Sequence, residues 1–157
     1  MGEIQENGRG VISEEMIFLD KNFESQEEVL RFVVKQAKTN GYVTDEGKLY
    51  KAVKKREQEI STAIGYSIAI PHGKTDAVTH PFIAFLRTTK DIEWTNQTEG
   101  TVRLVFLIGV PEKSENNLHL KFISQLSKKL LDENFREKLL RQVDKNKTFK
   151  QLNLIEI

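Results

Sequence analysis

The chain has no cysteine among its 157 residues. That excludes a disulfide scaffold, a zinc site built on thiolates and a thiol nucleophile. Net charge is nearly as scarce, since 24 Lys and Arg against 23 Asp and Glu leave a formal +1. Nothing in that balance points to nucleic acid. No apolar run approaches the roughly 18 residues of a membrane span. The longest, Leu104 to Val110, is interrupted by Gly109. The opening MGEIQENGRGVI holds no apolar signal core, so a cytoplasmic protein without direct membrane insertion is the expectation. A Ser/His nucleophile motif, a glycine-rich nucleotide loop and a recognisable zinc pattern are also missing. Neither a metal nor a cofactor is expected.

What is present suits a soluble globular chain, 38% hydrophobic and 30% charged, with the length of one ordinary domain. Charge is distributed unevenly. Residues 1–30 hold eight acids against two bases, and residues 31–60 eight bases against four acids. Alternating helix faces and a solvated tail produce that contrast as readily as an oriented electrostatic surface does.

Residues 1–11 read as a flexible polar tail and residues 12–157 as the domain. Met16 to Leu19 is a short strand candidate. Ser25 with Glu28 forms a capping box before a helix whose apolar face is Val29, Leu30, Val33, Val34 and Ala37, ended by Asn40–Gly41. Thr44 opens a second helix, in which Leu49, Ala52, Val53 and Arg56 share one stripe. Arg56 there either snorkels outward or reaches a site.

Ser67 to Ile70, residues 82–88 and Arg103 to Val110 read as strands. The last two are too continuously apolar for a solvent-washed face, so helices should cover the sheet on both sides. Thr89 to Gly100, with Trp94, reads as a polar connection. Asn116 or Asn117 caps a helix whose stripe is His119, Ile123, Leu126 and Leu130. Further helices are expected near Glu133–Val143 and Thr148–Leu152, with an edge strand at Leu154–Ile157. The fold class is therefore α/β, a single domain.

His72, His80 and His119 are the three histidines. His72, Asp76 and His80 would align as metal ligands on a helix, but Pro71, Gly73 and Pro81 argue against one. His72 follows a proline and precedes a glycine at the end of a strand candidate. A reactive imidazole in a shaped turn and an inert one look alike at this level. Gly73 could let backbone N–H groups approach an anion. His119, near a helix N-terminus, sits where anions are favoured and a protonated ring is not.

Thr62-Ala-Ile-Gly65-Tyr-Ser-Ile68-Ala-Ile-Pro71-His72-Gly73 resembles the phosphorylation-site motif of the fructose/mannitol-type enzyme IIA proteins of the bacterial phosphoenolpyruvate-dependent sugar phosphotransferase system. Asn116-Asn-Leu-His119-Leu-Lys-Phe-Ile resembles that family's second-histidine helix, and Lys55-Arg56-Glu57 the segment carrying its arginine. Gly65–Tyr66–Ser67 lacks a second glycine seen in many members.

The resemblance runs from about Ile12 to Leu152. It implies a small mixed β-sheet flanked by helices on both faces (phosphotransferase/anion transport protein-like). It also implies that His72 accepts a phosphoryl group from HPr and passes it to an enzyme IIB, whose transporter partner IIC phosphorylates the incoming sugar. His119 and Arg56 would stabilise and orient the phosphate, with Thr62, Gly65, Pro71 and Gly73 in support. The alternative role is that of a nitrogen-regulatory or other regulatory IIA protein. For the partner-binding collar, Ile68, Ile70, Lys74 and Phe122 are the expected residues.

Overall fold

The apolar residues of the strands alternate between two separate cores, and that alternation builds the layers. In the computed structural model, which describes residues 11–95, 100–114 and 117–155, Met16, Phe82, Ala84 and Leu86 pack with the helices of one face. Ile17, Ile83, Phe85 and Phe106 pack with Phe122, Leu126, Phe135, Leu139 and Leu152 on the other. The unalternated apolar runs of the sequence are thus strands buried on both faces.

The described residues form, in chain order, β1 (Ile12–Lys21), α1 (Gln26–Thr39), α2 (Glu46–Glu59), β2 (Ala63–Gly65), β3 (Ile68–Ala69), β4 (His72–Thr75), β5 (Phe82–Glu93), β6 (Thr101–Pro111), α3 (Leu118–Lys129), α4 (Glu133–Arg141) and α5 (Lys145–Leu152). The sheet is mixed, in the order β1-β5-β6-β3-β2, with β4 also on β6. β1 runs parallel to β5, β5 antiparallel to β6, and both β3 and β4 parallel to β6. β3 and β4 therefore share one edge of β6, with Ile70 and Pro71 between them. No described helix is long and apolar enough to cross a membrane.

Local signals fixed most helix starts. The Ser25 side chain accepts the Glu28 N–H, while Glu28 reaches back to the N–H of Glu24. The second helix differs from expectation. Asp45 caps it by accepting the Lys48 N–H, and Thr44 is spent on the Ala77 carbonyl. The stripe of α2 also differs: its buried residues are Leu49, Val53 and Glu57, while Ala52 and Arg56 are half-buried. β5 continues to Glu93, into the stretch read as a connection. Leu154 and Ile155 lie in a turn and not a strand. The tail at residues 1–10, Asn116 and residues 156–157 lie outside the described residues.

The β2–β3 hairpin turns through Gly65, Tyr66 and Ser67 at φ of 95°, 55° and 63°. Two of these are not glycine, which costs roughly 1–2 kcal/mol per residue in that region. Two contacts offset it: the Arg136 guanidinium lies 4.8 Å from the Tyr66 ring centroid, and the Ser67 carbonyl accepts N–H groups from Arg103 and Leu104.

Candidate active site

His72 is not in a turn. It opens β4, paired with Ile108 of β6, and so stands on the sheet. Its Nδ1 lies 3.0 Å from the Ile70 carbonyl oxygen. A carbonyl can only accept, so Nδ1 carries the proton and Nε2 is left with the lone pair. Pro71, buried between them, donates nothing but accepts the Ile108 N–H at 3.0 Å.

Gly73 has a different job from the one expected. A Cβ there would stand 2.9 Å from Val53 Cγ2, 3.0 Å from Val53 N and 3.1 Å from Ala52 Cβ. The missing side chain lets α2 lie directly on β4, which carries Arg56 of α2 to the edge of the His72 cavity. Close helix–strand approach, and not an unusual backbone conformation, is what requires glycine.

His119, in the first turn of α3, stacks on His72 with ring centroids 4.9 Å apart and planes inclined by 24°. Its Nδ1 is buried and has no hydrogen-bond partner among the described residues. Arg56 donates from Nη1 to the Ile60 carbonyl at 2.8 Å, which closes the C-terminus of α2 with a cation in the favourable dipole position. Capping and site-lining are thus both true of Arg56.

These residues surround an open cavity of about 360 Å³ lined by Ala52, Lys55, Arg56, Glu59, His72, Gly73, Lys74, Val110 and His119. Three permanent cations against one carboxylate make it a receptor for an anion with several oxygens. Burial is the main cause holding the His72 imidazole below the usual histidine range, with Arg56 adding to it and the Ile70 hydrogen bond and Glu57 opposing. Burial again leads for His119, followed by His72, Lys74 and Arg56. Both rings are therefore neutral at neutral pH, and protonation sets in only below the ordinary value of about 6.5. A neutral, half-buried imidazole with a bare Nε2 beside an anion cradle is equipped for nucleophilic attack on phosphorus.

Of the residues singled out from sequence, Arg56, His72, Gly73 and His119 line this one cavity. Thr62 and Pro71 support it from behind, and Gly65 belongs to the hairpin turn. His80 is exposed and bonded to Thr79, and Asp76 pairs with Lys48, so the aligned-ligand geometry does not form. The expected collar is corrected: Ile68, Ile70 and Phe122 are buried at 1%, 1% and 0% exposure, and only Lys74 reaches the cavity. Sequence reasoning did not assign Lys55 or Glu57 to the site. Glu57 lies four residues after Val53 and eight after Leu49, a spacing that signals its buried face.

Residues 10–154 match the family model described as "Phosphoenolpyruvate-dependent sugar phosphotransferase system, EIIA 2". The chain is 36% identical over 126 residues to a "PTS system fructose-specific EIIA component" of Haloferax volcanii, covering 80% of this chain and 81% of that protein. It is 31% identical over 140 residues to a "Multiphosphoryl transfer protein" of Shigella flexneri, covering 89% of this chain but only 17% of that longer protein. Among solved structures, the mannitol IIA of Escherichia coli superposes with a TM-score of 0.75 at 29% identity, over 89% of this chain and 97% of that one. The nitrogen regulatory protein IIA-Ntr of Neisseria meningitidis gives 0.81 at 23% identity over 90% and 96%, a likeness of fold.

Proposed function

Because the chain belongs to the EIIA 2 family of the phosphoenolpyruvate-dependent sugar phosphotransferase system, we propose that it relays a phosphoryl group through His72 from HPr to an enzyme IIB. The neutral Nε2 attacks phosphorus, the bond from phosphorus to the donor breaks, and an Nε2–P bond forms. The Nδ1 proton stays in place. Positive charge that develops on the ring is met by the Ile70 carbonyl 3.0 Å away, while Arg56 and His119 receive charge on the equatorial oxygens. Passing the group on is the same exchange in reverse. Phosphoryl transfer of this kind needs placement and electrostatics more than covalent chemistry.

The observation that carries the reading is the stacked His72–His119 pair at the rim of a cation-lined cavity. The IIB role follows the solved complex of mannitol IIA with phosphorylated mannitol IIB from Escherichia coli, to which this chain is 28% identical with a TM-score of 0.75. In the cell the protein would work on the cytoplasmic side, with IIB feeding a IIC transporter. Fructose is the first sugar to test, since it is the one named for the Haloferax volcanii relative.

HPr phosphorylated by enzyme I should label the protein, and a fructose-type IIB should then discharge it within the dead time of manual mixing. His72→Ala should take no label. Equal labelling of the folded His72→Ala variant would reject the site, and a label that survives every IIB would favour the regulatory role.

A further inference from the structure

The carbonyl that orients His72 is itself unusually placed. It belongs to the Ile70–Pro71 peptide, and proline contributes no N–H. That peptide plane therefore lacks the donor through which a ladder normally anchors it. Ile70 is held by its own N–H, which donates to the Thr62 carbonyl at 3.0 Å. Thr62 is held in turn by Glu57, whose Oε2 accepts the Thr62 N–H at 2.7 Å and whose Oε1 accepts the Thr62 hydroxyl at 2.6 Å.

Glu57 is an expensive residue to keep there. It is 4% exposed, and it sits in the last turn of α2, where the helix dipole disfavours negative charge. Both carboxylate oxygens are spent on a single residue, Thr62, which is 6% exposed. Four hydrogen bonds thus run from α2 to the imidazole through buried groups. They pass through different peptide planes at Thr62 and Ile70, so the linkage acts by position and moves no proton. The neighbouring Arg56 lines the cavity. One turn of helix therefore presents a guanidinium to the anion and fixes the ring that would carry it.

We propose that Glu57 is a positioning residue that, through Thr62 and Ile70, locks His72 in the Nδ1–H tautomer with Nε2 bare. The kinetic consequence rests on the reading of His72 as phosphoryl acceptor, but the tautomer does not. Thr62→Val removes the hydroxyl donor and keeps the backbone N–H and the side-chain shape. Thr62→Ser keeps the hydroxyl. Glu57→Leu removes both acceptors, whereas glutamine would keep the pair by accepting the Thr62 N–H and donating to the hydroxyl.

The test is a long-range proton–nitrogen correlation on uniformly nitrogen-15-labelled protein at neutral pH, beside steady-state phosphoryl transfer from phospho-HPr. Wild type and Thr62→Ser should show a single Nδ1–H tautomer at His72, whereas Thr62→Val and Glu57→Leu should show a mixture. For those two variants kcat should fall on the order of ten- to a hundredfold with KM for the donor unchanged, as small misplacements of a nucleophile do. Thr62→Ser should restore the rate. A merely structural role would lower thermal stability and leave the tautomer alone. An Nε2–H ring in wild type would overturn the proposal without any variant, and so would an unchanged Nδ1–H ring in Thr62→Val and Glu57→Leu. Should Glu57→Leu not fold, Thr62→Val decides. A wild type that takes no phosphoryl group at all would instead sink the relay reading, with the tautomer result standing by itself.

Discussion

The two imidazoles of the site are stacked on each other yet held in opposite ways. His72 stands on a strand, its Nδ1 bonded to a carbonyl that is tied back through Thr62 to Glu57. His119 stands on the first turn of a helix, and its buried Nδ1 has no hydrogen-bond partner among the described residues. One ring is fixed in tautomer and direction; the other is placed by packing and free to choose its tautomer. A nucleophile must have its lone pair aimed, which the first arrangement provides. A group that only donates to phosphate oxygens gains from adapting, which the second permits.

That contrast can be strained from either side. The larger effect is expected from His119→Ala, which removes one donor to the transferring group. Losing a centrally placed electrostatic contact costs about 3 kcal/mol in the transition state, roughly a hundredfold in rate. Because no hydrogen bond to Nδ1 is lost and the ring gives up its stacking on His72, folding stability should change by only about 0.5–1.5 kcal/mol. Stopped-flow transfer from phospho-HPr and urea unfolding measure the two quantities. An unchanged rate would remove His119 from the chemistry, and a large stability loss would show that it is held more firmly than its contacts indicate.

A smaller effect is expected on the wired side from Gly73→Ala. The new methyl meets Val53 and Ala52 of α2 at 2.9–3.1 Å, so helix and strand must part by a few tenths of an ångström. Overpacking of that kind costs typically about 1–3 kcal/mol of stability. Transfer should slow as well, because α2 carries both Arg56 and Glu57. Urea unfolding and the same stopped-flow assay test this. A variant with wild-type stability and rate would mean that the close approach of α2 is not what sets the site.

Much of this was legible in the sequence, and the exceptions have physical causes. Helices with an amphipathic face and a side-chain cap, such as α1 after Ser25, announced themselves. α2 was shifted because Thr44 and Asp45 are both competent caps, and only tertiary contact decided that Thr44 would serve Ala77. β4 was hidden because His72-Gly-Lys-Thr75 has no apolar alternation; its existence depends on pairing with β6. For the site, the motif resemblance named His72, His119 and Arg56, whereas spacing alone brought none of them together. In the sequence Glu57 stands only as the neighbour of Arg56 in the Lys55-Arg56-Glu57 segment. Its burial follows from the Leu49–Val53–Glu57 stripe and from the bonds that Thr62 offers it. The collar was misplaced because Ile68 and Ile70 beside His72, and Phe122 one turn after His119, all face the core.

The most direct measurement is which nitrogen carries the phosphorus. The protein, phosphorylated by phospho-HPr and labelled with nitrogen-15 in its histidines, should show phosphorus–nitrogen coupling at His72 Nε2 alone, with Nδ1 still protonated and both His119 nitrogens uncoupled. Phosphorus on His72 Nδ1, or on His119, would contradict the account, because the Ile70 hydrogen bond would then be holding the wrong atom.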